Sequence, residues 1–415
     1  MTEKKFSLTV VLSGGQQTGG GFHQALTNLR MLLRALPEEF SVTVVDSRGS
    51  FSKELRELGA EGLMSRATVI TLPKRLSSFR DRVLTDGSLV FRIARALLRI
   101  SGVEVSTSVL ARFLDNSSAD LVYFTSPAPE AADLVIKPFV WTLWDLCHLD
   151  SPEFPEVRTS GKFEARDDFN ARALRKAALV VVDSSELIDK AETYFGAGRG
   201  KFITIPFAPP VSRDVVSTSK ADLPAEVRDL VGRYFFYPAQ LWTHKNHLRI
   251  VEALREVNAG GYDLHAVFVG KDHGAGLSIR HRVSEWGMNS HVHFLGYVED
   301  SAIPALYTHS LGLIMASYFG PTNIPPLEAM LLKTPVIASD VHRNQLGDAA
   351  LYFDPDDSAA LSQLMMDIGD SGTRNRLVKA GQTRLAELDA LREAGEQSLV
   401  SGLVSLSKRI LRPHS

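Results

Sequence analysis

The chain has 415 residues, of which 44% are apolar and 23% charged, and a formal net charge of −2. That length exceeds one ordinary domain, and the composition is that of a globular protein. The balanced charge excludes bulk electrostatic attraction to nucleic acid, and a single cysteine, Cys147, excludes an intramolecular disulfide.

In chain order, the apolar run after the first lysines is too short for a secretory leader. It ends in Gly14-Gly15, so Leu8 to Leu12 reads as an opening strand. Strand runs continue at Val42 to Val45, Val69 to Leu72, Leu121 to Phe124, Phe139 to Leu143, Leu179 to Val182 and Phe202 to Ile205. Helical periodicity fills Phe22 to Leu36 and Phe163 to Ala177, which together predict a parallel sheet wrapped by helices. A polar, proline-containing stretch follows, and the rhythm then restarts. Strands are expected at Tyr234 to Tyr237, Leu264 to Val269, Val292 to Leu295, Leu311 to Met315, Val336 to Ala338 and Leu351 to Phe353. The expectation is an α/β protein of two tandem doubly wound, Rossmann-like domains: residues 1–208, a linker at 209–224, residues 225–389, and a terminal helical segment at 390–415. No stretch reaches the roughly 18 apolar residues of a membrane helix, so a cytoplasmic protein is expected.

Four stretches carry candidate chemistry. The glycine-rich loop Ser13 to Gly21 joins the first strand to the first helix and lets backbone approach a ligand; it lacks the Lys-Ser or Lys-Thr of a phosphate loop and the Gly-Xaa-Gly-Xaa-Xaa-Gly order. Trp144-Asp145-Leu146-Cys147-His148 leaves a strand at the end where open sheets bind ligands, so Asp145 and His148 are candidates to orient a reacting hydroxyl or simply to stabilise the loop. Lys245 follows a strand at the head of a helix, where an ammonium can neutralise a diphosphate; the bland reading is a solvated lysine. In Gly320-Pro321-Thr322-Asn323-Ile324-Pro325-Pro326-Leu327-Glu328, the Thr and Asn sit where a helix cap belongs and the prolines can only begin a helix. Glu328 is therefore expected in the first helical turn, near unpaired amides that suit phosphate oxygens, with the carboxylate accepting from ribose hydroxyls. From Lys74 to Arg112, eight basic residues face three acidic ones, and Arg92, Arg95 and Arg99 share a helical face that either lies on an anionic membrane or is plainly solvated. No zinc spacing and no Asp-Xaa-Asp pair at a strand end appear, so no metal is expected.

The Gly-Xaa-Pro-Pro-Leu-Glu-Ala-Met sequence around Glu328, followed by the Thr-Pro-Val strand, resembles the donor-site signature of family 4 retaining glycosyltransferases, which have the GT-B fold. The chain departs from that signature in carrying Gly320 where a first Glu is usual, within a Phe-Gly-Pro-Thr-Asn variant. It has Gln240 in place of an Arg five residues before the diphosphate-binding Lys, and Trp144 in place of a His.

The resemblance implies a metal-independent hexosyl transfer with retention, from a nucleotide diphosphate sugar to an acceptor hydroxyl, in cell-surface polysaccharide or glycoconjugate synthesis. It implies no cofactor beyond the nucleotide sugar, and a glycan or lipid-linked acceptor. By the same resemblance, Glu328 holds the ribose. Lys245, Gln240, Gly320, Pro321, Thr322, Asn323 and Ile324 hold the diphosphate and sugar, and Gly296, Tyr297 and Val298 line the base, with Tyr297 as core packing the alternative. Gly19, Gly20 and Gly21 face the sugar from the acceptor side with Asp145 and His148, and the terminal helix packs back on the first domain. Two alternatives stay open: a GT-B sugar-nucleotide epimerase, and a non-catalytic nucleotide-binding partner subunit.

Overall fold

The computed structural model describes residues 5–13, 20–72, 108–211 and 218–412. All thirteen expected strands form, each within two residues of its expected ends. They are β1 (Phe6–Leu12), β2 (Phe40–Asp46), β3 (Ala67–Thr71), β4 (Leu121–Phe124), β5 (Phe139–Leu143), β6 (Leu179–Val182) and β7 (Phe202–Thr204), then β8 (Tyr234–Pro238), β9 (His265–Val269), β10 (Val292–Gly296), β11 (Gly312–Met315), β12 (Val336–Ser339) and β13 (Ala350–Phe353). The chain divides into two compact units. One comprises residues 1–152, 157–206 and 391–415, and the other residues 153–156 and 207–390.

The first unit holds a seven-stranded sheet of order β3-β2-β1-β4-β5-β6-β7, and every neighbouring pair is parallel. Its strands are runs of β-branched and aromatic residues because both faces are covered. On β1, Leu8, Val10 and Leu12 join one core with Leu29 and Leu32 of the helix Gly20–Ala35, while Val11 faces the opposite core with Phe124 and Trp141. That first helix begins two residues earlier than its periodicity predicts, so Gly20 and Gly21 open it.

The second unit repeats the plan with a six-stranded parallel sheet of order β10-β9-β8-β11-β12-β13. The expected linker, described at 209–211 and 218–224, is not a bare spacer: Leu223 is buried in this unit's core. In each sheet the strand order reverses beside the first strand, between β1 and β4 and between β8 and β11. Loops leaving the carboxyl ends of such a pair diverge and leave a crevice.

The tail forms two helices, Ser358–Asp367 and a 40-residue helix Ser371–Ile410, with the break at 368–370. From residue 391 the long helix belongs to the first unit, where Leu399 and Leu403 are fully buried beside β1 and the first helix. Two glycines let it lie directly on the sheet's edge: a Cβ on Gly402 would stand 2.9 Å from Leu179, and one on Gly395 3.0 Å from Ile205. No described helix is long and apolar enough to cross a membrane. The expected basic face of Arg92, Arg95 and Arg99 lies outside the described residues, as does Gly19.

Candidate active site

The second unit's reversal point gathers the residues that sequence chemistry singled out there. Tyr237, buried at the end of β8, donates from its hydroxyl to the Lys245 carbonyl at 2.9 Å and meets Ser317 Oγ at 3.3 Å. Tyr318 N donates to the His244 carbonyl at 2.9 Å, and Ser339 at the end of β12 donates to the Ser317 carbonyl at 2.6 Å. The loops after β8 and β11 are thereby joined through main chain. Asn246 takes the left-handed conformation (φ 56°), which Asn tolerates better than most residues, and turns the chain sharply into the helix His247–Ala259. Lys245 Nζ then lies 3.3 Å from Asn323 Oδ1 and 3.5 Å from Ser317 Oγ.

Asn323 occupies the N-cap of the helix Ile324–Leu331, but its side chain does not cap it. Asn323 Nδ2 donates instead to the Gly320 carbonyl and Oδ1 accepts from Lys245. Gly320 itself sits at φ 86°, a conformation that glycine alone adopts without strain. Pro325 and Pro326 carry no N–H, so Ile324 holds the one first-turn amide ahead of the helix's own ladder. Fewer backbone donors face this loop than a regular helix start would supply.

Glu328 falls in the second helical turn rather than the first, because the helix begins at Ile324. Its side chain is 8% exposed and accepts one hydrogen bond, from Tyr307 Oη at 2.8 Å. Burial lifts its carboxyl to about 7; the Tyr307 hydroxyl opposes the rise and the charge of Asp300 adds to it. A carboxyl held so far from water is an acceptor with little solvent to displace.

On the same carboxyl-end edge, Gly296 (φ 66°) ends β10 and accepts from Gly270 N at 2.9 Å. A Cβ on Gly270 would stand 2.8 Å from Gln240 Cα, so the loops after β8 and β9 touch backbone to backbone. Gln240 Oε1 accepts from Trp242 Nε1 at 2.9 Å, and Trp242 stacks on His273 at 4.3 Å. Tyr297 is 57% exposed rather than core-packed, while Val298 packs against the core. Pro321 and Thr322 are half-buried in the loop that ends at Asn323.

Sequence reasoning missed several partners. His244 stacks on Phe319 at 4.0 Å, and the Glu156 carboxylate accepts from its backbone N at 2.8 Å and contacts Nδ1. Burial raises the Glu156 carboxyl, but those hydrogen bonds outweigh it and hold the group below its ordinary value. Tyr307, Ser317, His342 and Gln345 have no local signal, since only folding brings Tyr307 to Glu328, Ser317 to Lys245, His342 to Pro321 and Gln345 to Asn323. His247 is buried between Tyr237 and Phe268.

In the first unit, Asp145 is held in place: its Oδ1 accepts from Arg166 Nη2 at 2.5 Å and from Cys147 N at 3.0 Å. Burial alone would raise its carboxyl, yet the Arg166 guanidinium holds it below the ordinary value. His148 is fully buried against Phe163, with Nε2 3.9 Å from Asp167 and no hydrogen bond at either ring nitrogen. Burial depresses it to about 4, so it is a neutral core imidazole. Trp144 lies over Gly21, where a Cβ would come within 2.5 Å of the indole. Gly20 is the first residue of the helix behind it.

The sheet order, the reversal point and the Lys245–Asn323–Glu328 arrangement all fall within one matched segment. Residues 222–384 match the family Glycosyl transferases group 1. The O-antigen chain mannosyltransferase RfbU of Salmonella typhimurium is 31% identical over 137 residues, 32% of this chain and 38% of the relative. The O-antigen chain mannosyltransferase B of Escherichia coli is 37% identical over 73 residues, 17% of this chain and 19% of the relative. The matches thus span well under half the length of these relatives. The solved structure of Anabaena HepE in complex with UDP and glucose aligns over 96% of this chain and all of its own, with a TM-score of 0.65 at 16% identity. The fold is GT-B: two parallel-sheet α/β units and a C-terminal helix.

Proposed function

We propose that this protein is a retaining, metal-independent glycosyltransferase of family 4, which moves a hexose from a nucleotide diphosphate donor to an acceptor hydroxyl in the synthesis of an O-antigen or lipopolysaccharide-type glycan. The observation that carries the reading is the hydrogen-bonded set of Lys245, Asn323 and Ser317 at the reversal point of the second sheet, with Glu328 buried one turn into the adjoining helix. The group 1 match over 222–384 and the O-antigen mannosyltransferase relatives support it.

In this reading Lys245 Nζ neutralises the diphosphate leaving group, and the Gly320–Ile324 loop accommodates phosphate and sugar. Glu328 accepts hydrogen bonds from ribose hydroxyls, and the backbone near Gly296 to Val298 faces the base. In this reading the acceptor attacks from the face the leaving diphosphate departs, and that diphosphate helps to remove the acceptor proton. Asp145, with its charge fixed by Arg166, bounds the acceptor side together with the Gly20–Gly21 helix start. On this reading the enzyme works in the cytoplasm on a glycan or lipid-linked acceptor. The relatives suggest mannose as the sugar to try first, and HepE, solved with UDP and glucose, suggests glucose as the second.

The test is release of nucleoside diphosphate from GDP-mannose and from UDP-glucose, with and without EDTA, in wild type and in Lys245→Ala. Turnover of one donor that survives EDTA and fails in the variant supports the proposal. Tight nucleotide binding with no turnover on any acceptor would favour a non-catalytic binding subunit, in keeping with Gln240 giving its amide oxygen to Trp242 where a guanidinium would otherwise reach the diphosphate.

A further inference from the structure

The loop that ends at Asn323 is held from behind by the turn that follows β12. Gln345, 7% exposed, spans Asn323 with both ends of its amide: Oε1 accepts from Asn323 N at 2.9 Å and Nε2 donates to the Asn323 carbonyl at 2.7 Å. The buried His342, three residues earlier, brings Nδ1 to 3.4 Å from the Pro321 carbonyl. The turn is anchored in its own right. Arg384, on the long C-terminal helix, donates from Nε to the Gln345 carbonyl and from Nη2 to the Asn344 carbonyl, each at 2.9 Å, and Tyr352 donates to the Gly347 carbonyl at 2.5 Å.

An N-cap residue ordinarily satisfies its own helix with its side chain. Asn323 does not, because its side chain is turned to Gly320 and Lys245, and the prolines behind it remove two further donors. Only a side chain that donates and accepts at once can tie down both backbone groups of one residue, and a glutamine amide does this. A glutamate in the same place would accept but not donate, and a leucine would do neither.

We propose that Gln345 is a positioning residue for the diphosphate site: it fixes the main chain of Asn323, and through Asn323 Oδ1 it fixes where the Lys245 ammonium stands. The inference rests on the donor reading given above and adds to it a residue that touches no ligand. Arg384 extends the same support to the C-terminal helix, whose role in the second unit is then to hold the turn that holds the loop.

The experiment compares full-length wild type, Gln345→Leu and Gln345→Glu by calorimetric titration with GDP and UDP, and by ligand-observed NMR with guanosine and uridine. The nucleosides share the base and ribose contacts and lack the phosphates, so they report whether the rest of the site survives. Losing both hydrogen bonds behind the loop should weaken diphosphate binding about tenfold or more in Gln345→Leu, with nucleoside binding held within about twofold. Gln345→Glu keeps the acceptor and loses the donor, and should also bind the diphosphate more weakly than wild type. The inference is overturned if Gln345→Leu binds the diphosphate as wild type does, or if nucleoside and diphosphate affinity fall together, since that pattern means general loosening. Absence of diphosphate binding in wild type would sink the donor reading itself, and this inference with it.

Discussion

Glu328 offers the sharpest quantitative test, because its burial carries opposite consequences for stability and for binding. The carboxyl rises from an ordinary 4.5 to about 7. Between those values the folded chain holds a proton that the unfolded chain has released, so stability conferred by the neutral carboxyl is complete below pH 4.5 and is lost as pH rises through 7. The difference of 2.5 between the two values corresponds to at most about 3.5 kcal/mol, at about 1.4 kcal/mol per pH step. In Glu328→Gln the amide does not titrate, so whatever its burial costs is the same at every pH. Scanning calorimetry of wild type and variant at pH 5, 6, 7 and 8 should show the melting-temperature difference moving in the variant's favour with rising pH, by several degrees at roughly 2–4 °C per kcal/mol. Nucleotide binding should move the other way. Wild-type affinity rises with pH as the carboxylate forms, and the variant loses about 1.5–3 kcal/mol of charge-assisted hydrogen bonding to ribose, roughly 10–100-fold in Kd. A melting-temperature difference that stays flat from pH 5 to 8 would refute the argument that Glu328 is buried near neutrality.

Four further outcomes are expected. Tyr307→Phe removes the hydroxyl that holds the Glu328 carboxyl down, so the pH profile of nucleotide binding should shift to higher pH; an unmoved profile would mean the bond at 2.8 Å does not matter. Burial holds His148, His247 and His342 at about 4, 3 and 4, so they stay neutral in the fold while the unfolded chain protonates them below about 6.5. Stability should therefore fall as pH drops from 6.5 towards 4, and His247→Phe, which keeps an aromatic ring between Tyr237 and Phe268, should flatten that acid limb in urea titrations. Asp145→Asn should destabilise the protein by roughly 1–3 kcal/mol through the unpaired Arg166. A transfer rate that collapses with the melting temperature unchanged would instead make Asp145 a participant in the chemistry. Gly21→Val should displace Trp144 and lower stability by roughly 1–3 kcal/mol, read by thermal unfolding and by the tryptophan emission maximum.

The architecture can be read from the chain before it folds. Parallel strands buried on both faces must be short runs of apolar, β-branched residues, and amphipathic helices must lie between them, so the thirteen strands and the doubly wound plan were written in local composition. Lys245 was legible in the same way, because a lysine just beyond a strand and before a helix is placed by local chain direction alone. Glu328 was legible as a helical carboxylate, although its turn was misjudged: a run of two prolines marks a helix start without saying which residue caps it. Which groups share an environment follows from packing and not from local sequence. His148 read as a candidate to orient a reacting hydroxyl or to stabilise its loop and, like His247, is a core imidazole, since burial depends on what packs over a residue rather than on its neighbours in sequence. Gln345 meets Asn323 across 22 residues, and Glu156 meets His244 across 88. Contacts of that separation are set by sheet order and strand register, and these exist only once the chain has folded.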